Sequence, residues 1–245
     1  MAELTKMVYR GRGKVYIDGR YIGNCNELTI GAEQEESTLT DYTTAGGGTY
    51  ASSSIISTVP VTGTVYDYLP ENLALAMLGT TTGVTAGTVT GESITAPADL
   101  SSGDRLVRTA NLLDTAESVT LTSDPAGTTY TADTDYTVTA AGVILLAAGG
   151  IADSADLLIS YTKKASTVIE ALTATSQEHE LVYDGINIGS NGEPGVVVVP
   201  KFKLAPSEIP LISEDFGQLT LNGQALADPA KNGTTASKYY QWISA

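Results

Sequence analysis

The chain has 245 residues and a mass of 25.4 kDa, enough for one β domain or two smaller ones. Its 28 Asp and Glu against 13 Lys and Arg leave a net charge of −15, which argues against binding the nucleic-acid backbone or an anionic membrane surface. Only 17% of residues are charged, and the abundance of Thr, Ser, Gly and Ala is that of strands and turns rather than surface helices.

The acids are spread along the chain without an acidic tail, so the negative charge belongs to folded surface. MAELTKMVYR has no apolar core of a signal peptide, and VILLAAGG at 143–150 is far too short to span a membrane. With Cys25 the single cysteine, no intrachain disulfide can form.

In chain order, GKVYIDGRYIGNCNELTIG (Gly13–Gly31) opens as a strand, an Asp18-Gly19 turn and a second strand. Leu28 and Ile30 then share one parity and Glu27, Thr29, Glu33 and Glu35 the other, as in a sheet wetted on one face. A long polar hairpin follows, with its tip at Gly46, Gly47 and Gly48. Its return arm places Ile55, Val59 and Val61 on one parity, which predicts that all three face protein. YLPENLALAMLG predicts a helix over 70–78, with Pro70 in the first turn, Gly79 as its cap and an apolar stripe of Leu69, Leu73, Ala76 and Met77 or Leu78.

Residues 84–165 carry a strand rhythm of their own. Val119 and Leu121, Tyr136 and Val138, Val143 and Leu145, and Leu157 and Ile159 supply alternating core positions, which predicts a small inserted β-sandwich-like domain. From 166 longer strands resume. Turns are expected at Asp184-Gly185 and Asn222-Gly223, with a β-branched run at Val196–Val199 and a last strand in SKYYQWISA.

Residues suited to catalysis are sparse. His179, between Glu178 and Glu180, reads as a solvated strand residue, and Cys25 as a buried inert thiol. Asp133 and Asp135 lack the spacing of a calcium loop and read as a turn, as do Glu214 and Asp215. TTAGGGT has no phosphate-loop lysine and precedes a strand. No enzyme, cofactor or metal site is expected.

Three blocks carry a resemblance. VYDGINIGSNGEPGVVVVPKFKLAPSEIPLISEDFGQLTLNGQALADP resembles the closing region of the major tail tube proteins of long-tailed, siphovirus-like bacteriophages. GRGKVYIDGRYIGNCNELTIG, with the polar hairpin and PENLALAMLG, is similar to that family's opening region. DTDYTVTAAGVILLAAGGIADSADLLISYTKKA looks like the extra β domain that many such proteins carry.

The resemblance implies an all-β fold: a tail-tube β-sandwich or barrel with one flanking helix and a long lumenal hairpin, plus the inserted domain. The tube core would comprise residues 1–83, with hairpin 32–65, and 166–245, and the inserted domain 84–165 would decorate the outside. Homohexameric rings would stack into a helical tube with an acidic lumen, through which DNA passes without specific binding. Tape measure, tail terminator and distal tail proteins would be its partners, with no membrane involved. Its place would be the virion tail, and the host cytoplasm during assembly. The implied lumen-facing acids are Glu33, Glu35 and Asp41, and the implied inter-ring or inter-subunit loop is Gly46, Gly47, Gly48 and Tyr50. Two alternatives remain open. A carbohydrate-binding or adhesion module of a virion or cell surface would show exposed aromatics gathered on one face, and a carboxylate enzyme would need paired acids in a concave site.

Overall fold

The computed structural model describes residues 8–175, 177–189 and 191–244. The first part of the chain runs through β1 (Gly11–Ile17), β2 (Arg20–Tyr21), β3 (Cys25–Ile30), β4 (Glu33–Thr40), β5 (Thr49–Thr58), β6 (Pro60–Val65), helix α1 (Pro70–Ala76) and β7 (Thr80–Val84). The middle contains β8 (Gly87–Thr95), β9 (Arg105–Arg108), β10 (Thr120–Ser123), β11 (Thr129–Tyr130), β12 (Tyr136–Thr139), β13 (Gly142–Leu145) and β14 (Asp156–Lys163). The last part holds β15 (Ser166–Glu170), β16 (His179–Asn187), β17 (Glu193–Ala205), β18 (Leu219–Ala225) and β19 (Gln241–Ser244). Strands dominate, in several sheets. Two compact units result: residues up to Thr81 together with Ile169 onward, and residues 82–168.

In the first unit an eight-stranded sheet has the order β2-β1-β16-β17-β18-β6-β3, with β19 also on β17. Val15, Ile17, Val61, Val65, Val199, Phe202 and Leu219 form its core. Asp18 and Gly19 both take positive φ, so the expected turn has the hand that suits a twisted hairpin.

Two other expected turns are not turns. Asp184-Gly185 lies inside β16 and Asn222-Gly223 inside β18. Their glycines answer to close packing. A Cβ on Gly185 would fall 2.2 Å from the Tyr183 ring, and one on Gly223 would fall 2.3 Å from the Lys203 carbonyl and 2.5 Å from the Phe202 ring. Along β17 the buried parity switches from Val197 and Val199 to Phe202 and Leu204. Two residues there, Pro200 and Lys201, lie where the register with β16 shifts, and such an extra residue re-aims every side chain beyond it.

Helix α1 ends earlier than its sequence suggests. The left-handed residue is Leu78 (φ 49), not Gly79, and Gly79 N–H closes onto the Ala74 carbonyl at 2.7 Å. Of the expected stripe, Ala76 is buried and Leu73 and Leu78 pack against the core, whereas Leu69 is exposed and Asn72 and Ala74 are buried in addition. Asn72 is buried with its amide nitrogen donating to the Ile22 carbonyl at 2.7 Å and the Asp67 carbonyl at 2.9 Å, while its Oδ1 has no partner among the described residues.

In the second unit the sheets β11-β10-β14-β8 and β12-β13-β9 share one apolar core. Leu121, Tyr136, Val143, Leu145, Leu157 and Ile159 are all buried in it, the positions that period-two alternation selects.

Candidate functional site

The most unusual element is the hairpin. Strands β3 and β6 pair from Cys25↔Val65 to Ile30↔Val61, and Gly31 N–H extends the ladder to the Pro60 carbonyl at 2.9 Å. Beyond it β4 and β5 pair from Glu33↔Thr58 to Thr40↔Thr49 and, among the described residues, with no other strand. The lower half belongs to the core sheet, where Val59 and Val61 are buried. In the upper half every residue of β4 is exposed, and so is every residue of β5 except the half-buried Thr58.

Ile55 therefore does not face protein as its parity suggests; it is 62% exposed. Register explains this. Ile55 stands directly opposite Glu35, and residues directly opposite in an antiparallel pair project from the same face. One face carries Glu33, Glu35, Ser37 and Leu39 with Ala51, Ser53 and Ile55, and the other carries Gln34, Glu36 and Thr38 with Ser52, Ser54 and Ile56. Both faces are mixed, and neither has a core.

Glu33 and Glu35 thus share a face, and the Glu33 carboxylate accepts the Thr58 hydroxyl at 2.6 Å. Asp41 lies beyond the end of β4, so strand parity does not govern it. Its carboxylate organises the tip, accepting the Thr43 N–H at 2.7 Å and the Thr43 and Thr44 hydroxyls at 2.6 and 2.9 Å. Those hydrogen bonds, the Thr43 hydroxyl foremost, hold its carboxyl below the usual range. Gly46, Gly47 and Gly48 form the tip, where Gly47 and Gly48 have positive φ and open space around them. Tyr50 is the extra residue where the register shifts between Leu39 and Thr40, and it is exposed.

A second feature had no signal in the local pattern. The terminal strand β3, and β1, whose outer side is covered by β2 and Ile22 only from Val15 onward, line one cleft of about 800 Å³. Tyr9, Tyr183, Tyr240 and Trp242 gather there from distant parts of the sequence, with Tyr9 and Trp242 edge to face at 5.2 Å. Arg10 and Arg12 stand at the same cleft and are exposed. Burial, and then the neighbouring Tyr9 hydroxyl, push the Tyr183 phenol upward. Cys25 also lines it, its thiol raised to about 11 by burial first and the Asp67 charge second.

The remaining polar groups serve the fold. His179 is not solvated; its side chain is only 10% exposed, and Nδ1 lies 2.6 Å from Asp18 Oδ2. Partial burial alone would raise the Asp18 carboxyl, but the hydrogen bonds with His179 and from Glu180 N–H outweigh it and hold it low. Glu178 instead meets Lys201 at 3.1 Å. Asp135 accepts the Thr131 and Gly150 N–H groups at 2.7 and 2.6 Å, fixing a loop. In the second unit Glu92 accepts the Tyr161 hydroxyl at 2.6 Å and Ala110 N–H at 2.7 Å. Among the described residues no group of three or more His, Cys, Asp or Glu side chains is placed to hold a metal ion.

Sheet and hairpin together define a strand-dominated protein with one free, acidic hairpin and one aromatic cleft. The chain belongs to the family described as "Protein of unknown function UCP028589", whose model matches residues 8–243. A comparison with curated proteins finds no match.

Proposed function

We propose that this chain is the structural subunit of a phage tail tube. Copies close into homohexameric rings, and rings stack into a hollow conduit for genome ejection, with the core sheet as a tail-tube barrel. The observation that carries this reading is the hairpin: a ladder rooted in the core sheet, continued by β4 and β5 with unpaired outer edges and no buried face. An exposed edge of that length is a hazard in a monomer and an assembly device in a ring.

Charge supports the same reading. Residues 32–65 hold Glu33, Glu35, Glu36 and Asp41 and no base, so a wall made of this hairpin repels phosphates. DNA would slide past it without binding. Gly46, Gly47, Gly48 and Tyr50 would then meet a neighbouring copy. Tape measure, terminator and distal tail proteins would be the other partners, in the virion tail.

Electron microscopy of the concentrated protein tests this. Stacked rings or tubes with an open, DNA-wide lumen are expected, and a strictly monomeric species at high concentration would contradict the reading. Replacing Glu33 and Glu35 by Lys should leave tubes assembling but slow DNA ejection; unchanged ejection would remove both residues from the lumen. A second reading, a carbohydrate-binding or adhesion module, is favoured by the gathering of Tyr9, Tyr183, Tyr240 and Trp242 in one cleft. It requires glycan binding by a protein that forms no tubes.

A further inference from the structure

We propose that the cleft between β1 and β3 receives the Pro206–Gln218 loop of a second copy of this chain, a contact that rests on the tube reading and names the surfaces that join its subunits. The loop connects β17 to β18. Leu211, Ile212 and Phe216 in it are 89%, 97% and 90% exposed, more than any other large apolar side chain among the described residues. Three such side chains within six positions form one apolar knob, and a knob of this kind marks an interaction site.

Charge selects the occupant. The loop carries Glu208, Glu214 and Asp215, all exposed, and no base occurs from Leu204 to Ala230. At the cleft, Arg10 and Arg12 are exposed and make no ion pair among the described residues, while Glu27 is the one acid lining it. Most of the chain is acidic, so a basic rim around an aromatic cleft is its exception. Apolar loop tip and aromatic cleft match in chemistry, and the acids flanking the tip match the arginines at the rim.

The cleft walls have room for a partner in a second sense. Among the described residues, Gly11 to Lys14 of β1 have β16 on one side and no strand on the other, and β3 pairs only with β6. Phe216 and Gly217 of the loop lie beside Asn24 at the edge of the cleft, and a loop that reaches the cleft of the next copy, head to tail, makes a heterologous contact. Repeated from copy to copy, such a contact makes rings when the rotation closes and filaments when it does not.

The test replaces Phe216 with the photocrosslinker benzoylphenylalanine in a mixture of unlabelled and ¹⁵N-labelled full-length protein. Assembled material is irradiated and its cross-linked peptides are mapped by mass. Cross-links between differently labelled copies, on peptides containing Tyr9–Lys14, Asn24–Ile30 or Tyr240–Ile243, are the expected result. Assemblies whose cross-links fall elsewhere, or only within one copy, overturn this contact and leave the tube reading standing. A protein that never assembles overturns both. As an independent arm, Arg12→Glu and Glu214→Arg should each raise the concentration needed for assembly about tenfold, and the double swap should restore it. Single variants that assemble like the parent overturn the contact as well.

Discussion

The two halves of the long hairpin are one continuous ladder with opposite environments. From Cys25↔Val65 to Ile30↔Val61 the ladder lies in the core sheet, and Val61 is fully buried. From Glu33↔Thr58 onward the pairing continues, yet Ile55 and Ile56 stand in water. Both halves are antiparallel pairs, but in the inner half β6 also pairs with β18 and its side chains are buried, whereas the outer half has neither. A two-stranded ribbon without a buried face is marginal in water, so the outer half depends on what covers it.

The largest expected effect lies at the root of the anchored half. Asn72 ties together Ile22, just before β3, and Asp67, just after β6. Asn72→Ala leaves the buried Ile22 carbonyl and the part-buried Asp67 carbonyl without that donor and should cost about 2–4 kcal/mol in chemical denaturation. A loss below about 0.5 kcal/mol would mean the ladder needs no clamp at its base.

Next comes the contrast between halves. Val61→Ala should destabilise the isolated subunit by about 2 kcal/mol, from lost burial and the cavity left behind. Ile55→Ala should stay within about 0.5 kcal/mol. Equal losses in denaturant midpoint would erase the distinction.

Thiol chemistry sharpens it further. Cys25 in the anchored half stays protonated until pH approaches about 11. At pH 8 its maleimide labelling should run roughly 100-fold slower than that of a Ser53→Cys variant in a Cys25→Ser background. The Cys25 rate should still climb tenfold per pH unit near pH 9–10, where an ordinary exposed thiol levels off. Comparable rates at pH 8 would place Cys25 in solvent.

The smallest effect concerns Asp18, beyond the ladder. Its carboxyl is held below the usual range, so its stabilising contribution is complete above the ordinary carboxylate pKa and fades as pH falls through the depressed one. Asp18→Asn should therefore flatten the loss of stability below about pH 4. An unchanged acid slope would show that the His179 contact contributes nothing there.

What was legible in the sequence was what strands state locally. Leu121, Val143, Leu145, Leu157 and Ile159 alternate because each strand of the second unit has one face on one core, and they are buried. The Asp18-Gly19 turn was legible because positive φ is demanded there. Other features depend on what crosses from elsewhere. Ile55, Val59 and Val61 have equal numerical parity, but the extra Ser57 in β5 breaks it, so Ile55 does not share the face of Val59. Asp184-Gly185 and Asn222-Gly223 carry turn chemistry and sit within strands, because rings of Tyr183 and Phe202 occupy the space a side chain would need. His179 met a partner 161 positions away instead of its flanking acids. The cleft joins Tyr9 to Trp242 across nearly the whole chain, and no window of sequence contains both.

The claim that the outer hairpin is completed by other copies is tested most directly by hydrogen exchange of residues 33–58, in the free subunit and in assembled particles. Fast exchange of these amides is expected in the free chain, slow exchange of 61–65, paired on both sides, in both states, and strong protection of 33–58 only after assembly. Equally fast exchange of 33–58 in both states would contradict it.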